Sequence, residues 1–354
     1  MSITLGRRRT VPRTIPVSNN QNTTDLLQLL DPIAEPLARV ETELAEQVRA
    51  FNPGVGDYVH YVLGVAGKRL RPTLALLAGG ATGRIAQEQI RLGVIVELIH
   101  VATLVHDDIL DSADMRHGMP TANSRWGNDV TVLLGDCLFA HALSLAASYP
   151  TTNVCRKVSL ATNTVCAGEI LQTKLRYDPT LTIDKYLEII DMKTGALFAV
   201  SCELGGELNG STTHVVKQLR EFGSNLGIAY QIYDDCVDIL GQERQAGKSL
   251  GTDMKNGKLT LPWLLLLQHT DAAQRPEIAE LIFRGNADER ARLLALVAGN
   301  GVLSESLATV EKYITRAEAN LADLPNNEFS RTLSALLSFI DRKTRSLLKE
   351  EVIA

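Results

Sequence analysis

The chain is short of several things. Its 354 residues include only five cysteines, at positions 137, 155, 166, 202 and 236, an odd number with no CxxC pair. That excludes a disulfide framework and a zinc ribbon. The thiols read as small buried hydrophobes in a reducing compartment, so a cytoplasmic location is expected. No run of about 18 uninterrupted apolar residues occurs, and no membrane-spanning helix is expected. The longest candidate, Leu92 to Val105, is broken by Glu97 and His100. Excess positive charge is missing too: 36 Lys and Arg against 41 Asp and Glu give a net −5, which offers no bulk electrostatic basis for nucleic-acid binding. No acidic residue precedes Asp25, and the opening "MSITLGRRRTVPRTIPVSNNQNTT" is rich in Arg, Ser and Thr. A transit peptide has that composition, but no amphipathic period is visible, and no apolar stretch follows the arginines to make a secretory signal. Residues 1–23 are therefore expected to be a flexible basic tail ahead of one domain over 24–354.

What is present is helical patterning. Hydrophobic residues make up 45% of the chain and charged residues 22%, while 26 Gly and 12 Pro are few for this length. With abundant Leu and Ala, that favours helix. "DLLQLLDPIAEPLARVETELAEQVRAF" places apolar residues at steps of three and four until "NPG" at 52–54. Residues 57–79 read as a second helix, with Pro72 a candidate start of a new segment. Long helices are expected over 86–111, 129–148, 153–177, 182–208 and 214–240. Shorter ones are expected at 261–268, 274–284 and 288–298, and two long ones at 302–323 and 328–349. No alternating strand pattern, repeat or domain boundary stands out. The expectation is all-α, one large helical bundle.

One short stretch departs from this bland pattern. "HDDILDSADMRHG" ends the apolar helix over 86–111 with Asp107, Asp108 and Asp111. At about 100° per residue the three lie in one sector of a helix, where carboxylates repel one another. "YDDCVDIL" repeats the spacing as Asp234, Asp235 and Asp238, again near the end of a long apolar helix. A single D-D-x-x-D arises readily at a solvated helix end; two, each followed by a basic loop, call for a common cause. Clustered carboxylates without Cys or His select hard cations such as Mg²⁺, which takes one or two carboxylates per ion and completes its shell with water and phosphate oxygens. Facing clusters could hold a diphosphate through several ions and stabilise it as a leaving group. Basic residues accompany both: Arg116 after the first, Lys248, Lys255 and Lys258 after the second, and Lys68, Arg69 and Arg71 in "GKRLRP". Lys193 and Thr194 interrupt an otherwise apolar helix. Solvated faces account for most Lys and Arg in most proteins, and Lys255 and Arg69 fit that reading as well as a functional one.

The motifs "GKRLRP", "ELIHVATLVHDDILDSADMRHGMPTAN", "GDCLFAHAL", "GEILQ", "MKTGALF" and "YQIYDDCVDILGQERQAGKSLGTDMKNGKLTLP" stand in order over residues 60–262. In them the chain resembles the trans-type polyprenyl diphosphate synthases. The resemblance implies an all-α isoprenoid-synthase fold around a deep central cavity, usually dimeric. It implies an enzyme that condenses isopentenyl diphosphate with an allylic diphosphate, with Mg²⁺ at about three ions per site. By similarity, Asp107, Asp108 and Asp111 would bind metal and the allylic diphosphate, with Asp234, Asp235 and Asp238 opposite. Arg116, Lys193, Lys248 and Lys258 would contact the allylic diphosphate. Gln231 and Thr194 would lie near the carbon where positive charge develops. Lys68, Arg71 and His100 resemble the isopentenyl diphosphate site. The implied partners are the two diphosphates and a second copy of the chain, with at most peripheral membrane contact for product release.

One position departs from the family pattern. Where two arginines are usual, the chain has Arg116–His117, which removes a fork of phosphate donors and adds a group that is neutral for much of the time near pH 7. Read without the family, His100 is an ordinary core histidine. Product length has a physical argument. Ala102 and Thr103, five and four residues before Asp107, are small, so no bulky side chain blocks a tunnel beneath the first cluster. Phe139 on a neighbouring helix is either a tunnel floor or plain core packing. A product longer than fifteen carbons, for a quinone tail or other isoprenoid, is expected. The competing readings are a class I terpene cyclase of the same fold and a non-catalytic subunit of a two-component synthase. The first usually replaces the second D-D-x-x-D, and the second is expected to have lost one of the two.

Overall fold

The computed structural model of the chain describes residues 28–64, 67–240, 251–284 and 287–351. The expected basic tail lies outside the described residues, as does Lys248. The elements are α1 (Ala34–Gln47), α2 (Pro53–Leu63), α3 (Leu70–Thr82), α4 (Gln87–Leu110), α5 (Ala122–Trp126), α6 (Asn128–Ala147), α7 (Asn153–Lys174), α8 (Ile183–Ile190), α9 (Ala196–Glu207) and α10 (Thr213–Leu240). They continue as α11 (Thr252–Lys255), α12 (Leu261–His269), α13 (Arg275–Arg284), α14 (Ala287–Gly299), α15 (Val302–Asn320) and α16 (Glu328–Glu351). The fold is all-α, as the periodicity required.

Two helices organise the rest. α4 is buried along nearly its whole length, from Gln89 to Asp108, and packs against α3 and α6. α10 joins two apolar cores: Leu219, Phe222 and Leu226 belong to the core built on α1–α7 and α9, whereas Ile228, Ile232 and Cys236 belong to the core of α8 and α12–α15. Each fully buried Leu, Ile or Phe contributes roughly 1.5–3 kcal/mol relative to exposure. The helix that carries the second acidic cluster is thus anchored in both cores. Local signals set the starts: the Asn52 side chain accepts from Gly54 N ahead of Pro53, and Thr182 Oγ1 accepts from Lys185 N.

Three features differ from the sequence expectation. The helix expected over 57–79 is two helices: α2 ends at Leu63 and α3 starts at Leu70, two residues before Pro72; Arg69, just ahead of α3, is left-handed (φ 49°) and held by Glu41 and Glu97. The helix expected over 182–208 contains a π-helical turn, Asp191–Gly195. A two-residue hairpin joins β1 (Met115–Arg116) to β2 (Met119–Pro120), too short to show any alternation. One described helix, α6, is long and apolar enough by length and composition to cross a bilayer, although 33% of that window is buried. Asp129, Asp136 and His141 interrupt its sequence, and one of its faces packs on α4.

Candidate active site

The first acidic cluster closes α4, where the helix dipole already places partial negative charge. Protein cations offset it. Arg116 returns from the hairpin to donate through Nε (2.8 Å) and Nη2 (2.7 Å) to Asp108 Oδ1. The turn that aims it is His117–Gly118, both left-handed (φ 50° and 75°), as a two-residue hairpin of right-handed twist requires. Histidine tolerates that conformation better than most side chains, so His117 is exposed at the hairpin tip. Asp111 receives Arg176 Nη2 on Oδ1 (2.7 Å) and Lys258 Nζ on Oδ2 (2.6 Å). Asp107 is different: burial and then Glu169 push its carboxyl up to about 6, against the pull of Lys193 and Lys258.

The second cluster ends α10, and its Asp235 is held by neutral donors. Asp235 and Asp238 are buried. Asp235 Oδ2 accepts from the Tyr186 hydroxyl (2.6 Å), and Oδ1 accepts from Gln231 Nε2 (2.8 Å). The Gln231 carbonyl in turn accepts from Thr194 Oγ1 (2.8 Å). Burial and then Asp253 push Asp235 up to about 8. This chain of bonds needs α10 close to the π-helical turn, and glycine permits it. A Cβ on Gly227 would lie 2.8 Å from Gly195 Cα, and one on Gly223 2.5 Å from Phe198 O. The π turn, a bulge that recurs at functional sites, presents two neighbours inward: Thr194 to Gln231, and Lys193 to Glu169 and Gln172 on α7.

A third group gathers between them. Lys68 Nζ donates to the Tyr230 hydroxyl (3.2 Å), and the Arg71 guanidinium lies over the Phe198 ring, 5.1 Å from its centroid. Burial lowers Arg71 to about 10 despite the nearby Glu97. It also keeps His100 well below the ordinary histidine range, with Arg71 and Arg116 adding to the effect. His100 is therefore neutral at pH 7. Three buried polar atoms here have no hydrogen-bond partner among the described residues: Arg71 Nε, Glu97 Oε2 and His100 Nδ1. Buried polar atoms of this kind call for a ligand or water. Arg69, equally balanced between surface and function on sequence, is a buttress: it donates to Glu41 (2.5 Å) and to buried Glu97 (2.7 Å).

Charge contacts link these groups. Lys258 lies between Asp111 and Asp253; Arg71 feels Asp107, and Lys68 feels Asp234. Ala102 is fully buried, and Thr103 Oγ1 donates to the His100 carbonyl. α4 and α6 run antiparallel, with His106 Nε2 at Val132 O (3.0 Å) and the Tyr149 hydroxyl, just beyond α6, on Glu88 O (2.5 Å). That register places half-buried Phe139 opposite Leu98 and Ile99, about one helical turn below Ala102 and Thr103. Sequence reasoning missed Arg176, Tyr186, Asp253 and Glu97. Glu169 lies in "GEILQ" and was visible only as part of that motif.

The comparisons with known proteins decide what this geometry belongs to. A family model described as polyprenyl synthetase matches residues 53–298. The chain belongs to the polyprenyl synthetase family. It is 32% identical to the octaprenyl diphosphate synthase of Escherichia coli (strain K12), over 88% of this chain and 97% of that protein. It is 34% identical to heptaprenyl diphosphate synthase component 2 of Geobacillus stearothermophilus, again over 88% and 97%. A polyprenyl synthase of Caulobacter crescentus CB15, solved with calcium and isoprenyl diphosphate, superposes with a TM-score of 0.85 at 31% identity, covering 90% of this chain and 98% of that one. As a member of this family the chain is a prenyltransferase with prenyl diphosphate substrates, and diphosphate binding in the family uses a divalent metal. The donor set fits such an ion in its chemistry, since the donors are carboxylate oxygens, the preference of hard cations, although among the described residues no three of them are gathered as a ready-made metal site. Burial is the main cause that raises Asp107 and Asp235, and a bound cation would offset it.

Proposed function

We propose that the protein condenses isopentenyl diphosphate with an allylic diphosphate in repeated head-to-tail steps and releases a trans-polyprenyl diphosphate longer than fifteen carbons. The observation that carries this reading is the pair of acidic clusters linked by charge contacts, with Lys258 between Asp111 and Asp253 and with Lys68 and Arg71 in electrostatic reach of Asp234 and Asp107. Mg²⁺, about three ions held by Asp107, Asp108 and Asp111 and by Asp234, Asp235 and Asp238, supplies Lewis-acid stabilisation of the departing diphosphate. Lys193, Lys258 and Arg116 hold the same diphosphate, and Lys248 joins them in this reading. The Gln231 carbonyl and Thr194 hydroxyl face the carbon where positive charge develops. Lys68, Arg71, neutral His100 and His117 bind the diphosphate of the second substrate, whose double bond attacks the allylic cation. A proton then leaves, to the released diphosphate. The protein's share is placement and exclusion of water.

Chain length follows from the α4–α6 seam. Small Ala102 and Thr103 leave room for a growing apolar chain, and Phe139 stands about one turn deeper, level with Leu98 and Ile99, as a floor. The octaprenyl and heptaprenyl names of the relatives favour a product in that range. Exposed Val132, Leu133, Leu160 and Ile170 on α6 and α7 form an apolar face of the kind that a second copy covers, which supports a homodimer. The five free thiols fit a cytoplasmic location.

The test is product chromatography after incubation with labelled isopentenyl diphosphate, Mg²⁺ and geranyl, farnesyl or geranylgeranyl diphosphate in turn. Products beyond fifteen carbons are expected, and Ala102→Phe shortens them. Arrest at farnesyl diphosphate refutes the tunnel. A cyclic hydrocarbon formed without isopentenyl diphosphate supports the cyclase instead. The relative named "component 2" gives a second reading specific content: no elongation by the chain alone would mean that it requires a partner subunit.

A further inference from the structure

The cations around the first acidic cluster are not equivalent. Lys258 offers a single ammonium at the tip of a flexible stem. Arg176 is planar and doubly engaged: Nη2 donates to Asp111 Oδ1 (2.7 Å) and Nη1 to the Leu110 carbonyl (3.1 Å). The same fork therefore caps a free carbonyl at the α4 terminus and fixes the last carboxylate of the motif. Its neighbour ties down the other side of the site. Tyr177, left-handed at φ 60°, donates its N–H to the Gly257 carbonyl (2.8 Å) and its hydroxyl to the Lys255 carbonyl (3.2 Å). Its ring stands where a side chain on Gly257 would be, 2.5 Å from that Cβ position. Residues 176–177 are thus a strap between the end of α4 and the segment that carries Lys258.

We propose that Arg176 is a positioning residue that holds Asp111 Oδ1, so that Oδ2 is presented to a divalent metal once Lys258 moves from Asp111 to the diphosphate. This rests on the prenyltransferase reading above but assigns a residue outside its motifs. Carboxylates that ligate metals are oriented by such outer hydrogen bonds, whose loss weakens metal binding about 10–100-fold. Lysine cannot reproduce the fork, because one ammonium cannot serve Asp111 and the Leu110 carbonyl in a single plane.

The experiment compares the full-length protein with Arg176→Gln and Arg176→Lys. Mn²⁺ affinity is read from the free-ion electron paramagnetic resonance signal, and Mg²⁺ half-saturation is read in the elongation assay. Arg176→Gln is expected to weaken both about 10–100-fold, with Arg176→Lys in between and the melting temperature in EDTA changed by no more than a few degrees. Unchanged metal dependence overturns the proposal and leaves Arg176 a helix cap. Tighter metal binding also overturns it, since Arg176 would then merely occupy the metal's place. If the unmodified protein alone fails to elongate while Arg176→Gln still weakens Mn²⁺, the reading of a self-sufficient synthase falls in favour of a partner-dependent subunit, and the positioning role stands.

Discussion

The two acidic clusters share a sequence spacing and differ in electrostatics. At the end of α4, Asp108 and Asp111 are already paired with Arg116, Arg176 and Lys258. At the end of α10, Asp235 is held by a phenol and an amide and shifted up to about 8 by burial and Asp253. Identical motifs thus have different needs. The first cluster is partly neutralised by its own chain and can exchange those cations for a ligand. On the reading proposed above, Asp235 is hydrogen-bonded in place and would need an added ion to carry its charge. The comparison predicts that the two ends respond differently to substitution, to pH and to metal removal.

The largest effect comes from removing a ligand altogether. Asp107→Ala or Asp234→Ala should lower kcat/KM by about 10²–10³-fold or more, the equivalent of several kcal/mol of leaving-group stabilisation. Steady-state elongation measures this directly, and retention of most activity by either variant would dismiss the metal assignment.

Tyr186→Phe probes the neutral-donor side alone. It removes the hydroxyl that donates to Asp235 Oδ2, so the carboxylate is harder to ionise and worse oriented. An increase of about tenfold or more in half-saturating Mg²⁺ is expected, with the acid limb of the pH–rate profile moved upward. An unchanged Mg²⁺ dependence would mean that Asp235 does not rely on its neutral partners, and the contrast drawn between the clusters would collapse.

The metal-free protein should record the same contrast in its stability. Asp107 at about 6 and Asp235 at about 8 both sit above the ordinary value of 3.8. Between these limits the native state keeps protons that the unfolded chain has released, so raising the pH favours unfolding. The contribution is complete below about pH 4 and is lost through 6 for Asp107 and through 8 for Asp235. Melting in EDTA should therefore fall steadily across that window, and saturating Mg²⁺ should flatten the decline by binding only the native state. A flat profile in EDTA would contradict the burial of both carboxylates.

How much of this was legible depends on distance along the chain. The clusters themselves, Lys193 and Thr194 stood out because charge or hydroxyl interrupts an apolar period, which is a local property. The π turn did not, since one widened turn leaves composition unchanged. Arg176 lies 65 residues from Asp111 and Tyr186 lies 49 from Asp235. No spacing rule links such pairs, and an arginine after a helix looks like any solvated one. Arg69 read as an ordinary cation because its role is set by Glu41 and Glu97, 28 residues to either side. The break between α2 and α3 showed in the sequence only as Pro72, a candidate start of a new segment, because the contacts of Arg69 ahead of α3 are equally remote along the chain.

The smallest expected effect concerns the position that departs from the family pattern. His117 occupies the first of two left-handed places in the hairpin turn, so the backbone already bears a cost there that arginine would bear as well. What arginine would add is permanent charge and a phosphate fork. His117 also adds to the lowering of His100. His117→Arg should lower KM for isopentenyl diphosphate several-fold, up to about tenfold. KM for the allylic substrate, held by the clusters and Lys258, should stay within about twofold, because ligand affinity follows the groups that touch it. If both constants moved together, the hairpin tip would be acting through Arg116 and Asp108 and not through the second substrate.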